Sequence, residues 1–296
     1  MQLQGSLVAL VTPFTRAGEL DTDAWRRLLA WHAAQGTDAL VVGGTTGESP
    51  TLTDEELEDL VRIAALARPA SLPVIAGTGT NSTLGTIKKT LRMAAAGANA
   101  ALVVCPYYNK PTEAGLLAHF LAVAEASPIP VILYNVPGRT AVDLNPLIID
   151  ELSTHPNIIA LKEAGGSIER IKELVHRVGS RTIILTGDDH LTLEAMAAGA
   201  QGVISVTANV APDLMHQLCA CAFAKDFARA RRIDYALQGL HSALFIESNP
   251  IPTKWVLQKM GLIENILRLP LTPLSREAQS SVLAAFTQMQ DYRLGR

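Results

Sequence analysis

Lys162 closes the apolar run Asn157-Ile158-Ile159-Ala160-Leu161 and is followed at once by Glu163-Ala164-Gly165-Gly166. Such a run reads as a short buried strand that carries an ammonium to its carboxyl end, then a loop with room for a small molecule. Beside apolar walls the charged form of a lysine is disfavoured, so its pKa is expected to fall. The neutral amine attacks carbonyl carbons and forms a Schiff base. By position alone a strand-end lysine more often points into water. The residues elsewhere in the chain reverse that weighting.

An imine-forming lysine needs acid–base help to move protons through the carbinolamine and the enamine. A tyrosine hydroxyl gives and takes such a proton when it is joined to a relay. Tyr134, one predicted strand before Lys162, is the candidate, and Thr45 is suited to link it to a second phenol such as Tyr108. Thr46 and the backbone amides of the glycine-rich turn around it suit the carboxylate of a keto acid. Arg139, following Pro137-Gly138, offers a two-pronged guanidinium for a second carboxylate. Each type has a plainer use, since buried tyrosines pack, loop arginines are solvated and threonines cap helices. Asp188-Asp189-His190 invites a metal, but adjacent carboxylates point apart and no second histidine lies nearby. No metal and no cofactor is expected, and the aspartates read as N-caps.

Gathering these residues requires a scaffold. Short apolar runs at 7–11, 39–42, 74–76, 101–104, 131–134, 158–161, 183–185 and 202–206 alternate with amphipathic segments at 23–35, 54–67, 83–96, 112–126 and 168–178. Thr53 and Glu56 have capping-box spacing, and Gly36, Gly97, Gly179 and Gly199 stand at helix ends. Continuously apolar strands fit a parallel sheet covered by helices. Eight strand–helix units predict an α/β fold, a (β/α)8 TIM barrel. A doubly wound open sheet is disfavoured because no Gly-x-Gly-x-x-Gly opens the first helix. Beyond residue 206 the strand pattern stops, and 212–225, 226–245, 250–260 and 275–289 read as helices. The barrel is assigned residues 1–224 and a C-terminal helical extension packed on it residues 225–296.

The active site of such a barrel lies at the carboxyl ends of its strands. The segments that follow the predicted strands are Gly43-Gly44-Thr45-Thr46-Gly47-Glu48-Ser49, Gly77-Thr78-Gly79, Pro106-Tyr107-Tyr108-Asn109, Tyr134 through Thr140, Lys162 and Gly187-Asp188-Asp189, while the eighth run passes through Ile204-Ser205. Of five tyrosines in the chain, Tyr107, Tyr108 and Tyr134 fall on this one rim.

Composition excludes other classes. Of 296 residues 48% are apolar, enough for a large core, and the formal charge of −3 gives no basic face for nucleic acid. Cys105, Cys219 and Cys221 lack metal-ligand spacing and fit a reducing, cytoplasmic setting, with Cys105 expected only to pack. Residues 1–6 lack the basic start of a signal peptide, and the long uncharged stretch at 195–212 carries too many polar and helix-breaking residues to span a membrane.

The motifs Gly43-Gly44-Thr45-Thr46-Gly47-Glu48, Tyr107-Tyr108-Asn109-Lys110-Pro111, Tyr134-Asn135-Val136-Pro137-Gly138-Arg139-Thr140 and Lys162-Glu163 resemble the dihydrodipicolinate (4-hydroxy-tetrahydrodipicolinate) synthases over essentially the whole chain. The first motif and the lysine are shared with the wider pyruvate-dependent class I lyases, including N-acetylneuraminate lyase. The double tyrosine with Gly138-Arg139-Thr140 is the more specific mark. The resemblance implies that pyruvate forms an imine with Lys162, becomes an enamine and attacks the aldehyde of L-aspartate 4-semialdehyde. The product would be 4-hydroxy-tetrahydrodipicolinate, the committed step of diaminopimelate and lysine biosynthesis.

It further implies Tyr134, Thr45 and a neighbouring subunit's Tyr108 as the proton relay, within a homotetramer built from dimers. Thr46, Ile204 (through its backbone) and Gly187 would bind substrate, and Arg139 the semialdehyde carboxylate. Ser49, Leu52, Asn81 and Tyr107 match a site at which lysine-sensitive members bind L-lysine. Where those members carry a histidine and a glutamate this chain has Leu57 and Gly85, so weak or absent feedback is expected. The alternatives are an aldolase acting on a sugar acid or other aldehyde, which Arg139 argues against, and a non-catalytic acid-binding barrel, which the intact relay argues against.

Overall fold

The apolar runs form parallel strands, each hydrogen-bonded to the next: β1 (Gly5–Ala9), β2 (Ala39–Val42), β3 (Val74–Gly77), β4 (Ala100–Val104), β5 (Val131–Asn135), β6 (Ile158–Glu163), β7 (Ile183–Thr186) and β8 (Gly202–Ser205). β8 pairs with β1 and closes the sheet into a barrel. The computed structural model describes residues 3–295; Met1, Gln2 and Arg296, which the expected 1–224 and 225–296 division takes in, lie outside the described residues. Closure sets a steric condition: a Cβ on Gly202 would run into the Gly5 backbone, and Gly202 holds φ at 151°. β1 begins two residues earlier than the expected 7–11 because its ladder with β8 starts at Gly5↔Gly202.

Strand alternation sorts the side chains into two shells. Leu7, Ala9, Val41, Ile75, Leu102, Ile132, Tyr134, Ala160, Leu185 and Ile204 fill the barrel interior. Leu133, Leu161, Val103 and Ile184 face outward into a layer shared with the surrounding helices. Those helices are α1 (Thr22–Ala34), α2 (Asp54–Ala67), α3 (Thr83–Ala95), α4 (Glu113–Ala126), α5 (Pro137–Thr140), α6 (Pro146–Leu152), α7 (Ile168–Val178), α8 (Thr192–Ala197) and α9 (Pro212–Phe223). α9 packs on β1 and α8, so it completes the outer ring. Beyond it, α10 (Phe227–Ala243) packs on α9, and α12 (Arg276–Arg293) packs on α10 and on α11 (Ile251–Lys259).

Local chemistry starts and stops the helices. Thr53 and Glu56 form the expected capping box of α2, with Glu56 N–H to Thr53 Oγ1 at 3.2 Å and Thr53 N–H to Glu56 Oε2 at 2.9 Å. Ser82, Thr112 and Ser167 cap α3, α4 and α7 with the one-way bond alone, each side-chain oxygen accepting from a backbone N–H of the first turn. Gly36, Gly97 and Gly199 take positive φ after their helices, whereas Gly179 stays right-handed at φ −61°. The short α5, α6 and α8 were not expected, because four to seven residues hold too little of a 3.6-residue period to show one.

Three buried histidines couple this fold to pH. Burial pushes the pKa of His32 down to about 3 and that of His119 to about 4, and lowers that of His241. The imidazole of His32 meets Thr37 Oγ1 at 2.9 Å through Nδ1, and its Nε2 has no partner. Between pH 6.5 and about 3 the unfolded chain takes up a proton at His32 that the folded chain refuses, so stability is fully present above 6.5 and falls as pH drops. The slope from one such group is about 1.4 kcal/mol per pH unit. The urea midpoint should fall progressively below pH 6.5, and His32→Gln should flatten that acid limb by about one proton; an unchanged limb in the variant would remove His32 from this role.

Candidate active site

Tyr134 and Lys162 stand side by side because β5 and β6 pair Tyr134 with Lys162 and Asn135 with Glu163. Alternation turns the first pair into the barrel and the second outward. Lys162 is only 6% exposed, and its Nζ lies 4.3 Å from the centroid of the Tyr134 ring. Among the described residues Lys89 and Lys254 hold ion pairs and Lys162 holds none. The chain therefore buries two lysines in opposite ways. Lys254 is fully enclosed, with Nζ 2.6 Å from Glu48 Oε1 and 2.6 Å from the Ile266 carbonyl oxygen. Lys162 has an aromatic face and an open cavity instead.

That cavity, of ≈ 80 Å³, is bounded by Thr45, Thr46, Tyr134, Arg139, Lys162 and Gly187, together with Asp188 and Asn249. Gly187 is a steric requirement here. A Cβ at this position would come within 2.7 Å of both Lys162 Cε and Ala164 Cβ, so glycine leaves the channel through which the lysine stem reaches the cavity. Thr46 is buried, and Asn249 Nδ2 donates to its Oγ1 at 2.9 Å. With that lone pair engaged, the Thr46 hydroxyl hydrogen is free to donate to an anion. Asn249 lies 203 residues from Thr46, and no local pattern marks it.

Other expected residues fall around this centre. Ile204 is buried on β8 in the same interior cluster as Tyr134 and does not line the cavity. Asp188 accepts from Gly166 N–H at 2.9 Å; burial pushes its carboxyl pKa up, against that hydrogen bond and the charges of His190 and Lys162. Asp189 Oδ2 accepts from Val206 and Thr207 N–H at 2.9 and 3.1 Å, so it caps the turn after β8 rather than its own. No cluster of metal-ligating side chains occurs among the described residues. Cys105 is fully buried, with its thiol pKa pushed up to about 12 by burial.

A second cavity of ≈ 260 Å³ shares Thr45, Tyr134 and Arg139 with the first and adds Ser49, Lys89 and Tyr107. Leu52, in the core, and Asn81 do not line it; the Asn81 carbonyl accepts from Asn109 Nδ2 at 2.8 Å, tying the β3 loop to the tyrosine loop. Leu57 is fully buried against Gly43, and Gly85 sits in the first turn of α3. Tyr108 is not brought to either cavity. It is 90% exposed at a left-handed φ of 74°.

The Thr45–Thr46 loop is held by α11 and the segments on either side of it. Glu48, 1% exposed at its side chain and left-handed at φ 56°, receives Lys254 on one oxygen and the Arg268 N–H on the other at 3.0 Å. Lys254 Nζ and the Arg268 guanidinium both stand 4.3 Å from the Phe14 ring centre. Glu48 stands in the glycine-rich segment after β2, but its partners lie 206 and 220 residues away and no local pattern marks the anchor.

A model of the family described as dihydrodipicolinate synthetase matches residues 2–289. A 4-hydroxy-tetrahydrodipicolinate synthase of Dechloromonas aromatica (strain RCB) is 50% identical over 286 residues, 97% of this chain and 98% of that one. That of Thiobacillus denitrificans (strain ATCC 25259 / T1) is 52% identical over 282 residues, 95% of each chain. Among solved structures, the chloride-inhibited dihydrodipicolinate synthase of Acinetobacter baumannii complexed with pyruvate superposes with a TM-score of 0.96 at 45% identity, covering 98% of this chain and 99% of that one.

The channel at Gly187 yields a direct test. Gly187→Ala should keep the fold and its melting temperature while displacing the Lys162 stem, cutting borohydride-trapped labelling of Lys162 by a 2-keto acid roughly tenfold or more. Labelling at the unaltered rate would show that the methyl is accommodated and the channel is not limiting.

Proposed function

The chain belongs to the dihydrodipicolinate synthetase family, and we propose that it performs that family's condensation with the residues gathered around Lys162. It is a lyase that joins pyruvate to L-aspartate 4-semialdehyde and yields 4-hydroxy-tetrahydrodipicolinate, in the diaminopimelate/lysine pathway. The observation that carries the site assignment is a buried lysine without an ion pair, its Nζ 4.3 Å from a tyrosine ring centroid, opening into a cavity walled by hydroxyl, guanidinium and Asp188 carboxyl groups.

Lys162 Nζ attacks the keto carbon of pyruvate, and expulsion of the carbonyl oxygen as water leaves an iminium. Loss of a methyl proton gives the enamine, whose terminal carbon bonds to the aldehyde carbon of the semialdehyde. The semialdehyde's amino group then attacks the iminium carbon, closes the ring and releases Lys162. Tyr134 moves the protons of these steps through Thr45. Thr46, its backbone neighbours, the Ile204 backbone and the Gly187 channel receive pyruvate, and Arg139 pairs with the semialdehyde carboxylate.

Tyr108 completes the relay of a second subunit, which makes a dimer the catalytic unit and a homotetramer of such dimers the assembly. Its 90% exposure supports a role outside its own chain. We place the enzyme in the cytoplasm; no helix among the described residues is long and apolar enough to cross a membrane. Sedimentation showing a monomer at working concentration would overturn the assembly.

The larger cavity bears on regulation. Ser49 and Tyr107 line it with Lys89, and no carboxylate does. With Lys89 already paired to Asp54, an incoming ammonium would find no carboxylate in this wall, so L-lysine is a weak inhibitor or none. Strong inhibition below millimolar L-lysine would refute this.

Borohydride reduction in the presence of pyruvate should place a stable adduct on Lys162, and Lys162→Ala should abolish it. Tyr134→Phe should lower kcat by about 10²–10⁴-fold. An adduct on any other lysine would overturn the assignment.

A further inference from the structure

Behind the Lys162–Tyr134 pair, on the outer face of the same two strands, lies a closed polar cluster that the reaction itself does not use. Asn135 Nδ2 donates to both Glu163 oxygens at 3.1 Å and to Asp143 Oδ1 at 2.8 Å. Arg170, on α7, donates from Nε to Glu163 Oε2 at 2.9 Å and from Nη1 to Asp143 Oδ2 at 3.0 Å. Arg170 also bonds the Leu144 carbonyl, while Leu144 N–H donates to Asn135 Oδ1 at 3.0 Å. Glu163 and Asn135 are buried, at 1% and 0% exposure. The loop above keeps a place for the carboxylate, since a Cβ on Gly165 would come within 2.6 Å of Glu163 Oε1.

A carboxylate this deep carries a heavy desolvation cost, and burial does push the Glu163 pKa up, with Arg170 pulling it back. A purely packing role would be served by an apolar side chain at less cost. What the cluster provides instead is geometry. Asn135 and Glu163 are the residues immediately after Tyr134 and Lys162, and the two pairs are cross-strand partners in one register. A bond across the outer pair fixes the distance and tilt of the inner pair.

We propose that Glu163, held by Arg170, is a positioning residue that sets the Tyr134 hydroxyl against the carbon bound to Lys162, and that it acts on proton transfer and not on imine formation. This rests on the assignment of Lys162 and Tyr134 above. Two steps separate the roles. Imine formation is read by borohydride trapping of pyruvate on Lys162. Enamine formation is read, without any aldehyde, by uptake of deuterium from heavy water into the pyruvate methyl group.

Glu163→Gln keeps the shape and the acceptor for Asn135 but removes the charge that holds Arg170. It should leave the trapped fraction at saturating pyruvate within about twofold while slowing methyl exchange and kcat by about 10- to 100-fold, the scale of a misplacement near 1 Å. If that variant does not fold, Arg170→Lys, which keeps the charge and loses the fork, should give the same split. Exchange within twofold of the parent in the folded variant, or equal losses of trapping and exchange, would overturn the proposal. Failure of the parent enzyme to trap pyruvate on Lys162 would instead overturn the site assignment on which it rests.

Discussion

The ion pair between Glu48 and Lys254 joins residues 206 apart in sequence, with side chains 1% and 0% exposed. Neither charge would survive burial alone, and removal of one partner from such a pair costs about 3–5 kcal/mol. The pair is completed by the Ile266 carbonyl, the Arg268 N–H and the Phe14 ring, so the loop after β2 is bolted to the helices that follow the barrel. Thr46 rides on that loop and takes a second tether from Asn249. The Thr46 wall of the cavity is thus set by the C-terminal region, while Lys162 and Tyr134 are set by β5 and β6.

The same barrel performs both jobs because strand alternation separates them. On the inner face, Tyr134 and Lys162 are left with few partners and a cavity. On the outer face, Asn135, Glu163, Asp143 and Arg170 satisfy one another almost completely. A side chain left with few partners keeps its place only if the surrounding backbone is over-determined. One register supplies the two conditions within a residue of each other.

Much of this was legible in the chain. Strand positions followed from apolar runs of the right length, and the rim residues followed from reading what came after each run. α2 began and ended where its capping box and its pattern placed it. The exceptions share a physical cause. α5, α6 and α8 are too short to display a period, and two of them are started by proline and the preceding loop. Asn249, Lys254 and Arg268 act on partners more than two hundred residues away, so no local signal marks them. Gly187 is needed for the side chain of a residue on the neighbouring strand, which only the assembled barrel reveals. Asp189 read as a cap for the turn it begins, and it caps a turn seventeen residues on.

The order in which the anchors occur along the chain has a consequence for synthesis. Chains emerge N-terminus first and can begin folding as they do. When the last barrel helix, α9, has left the ribosome, Lys162, Tyr134 and Arg139 are all present, but Glu48 has neither Lys254 nor Arg268 to meet. Its carboxylate must then stay hydrated, and the loop bearing Thr45 and Thr46 stays with it. A nascent barrel therefore holds Lys162 before Thr46 has its tether. The wall of the cavity that carries Thr46 is complete only when Asn249, Lys254 and Arg268 have all emerged.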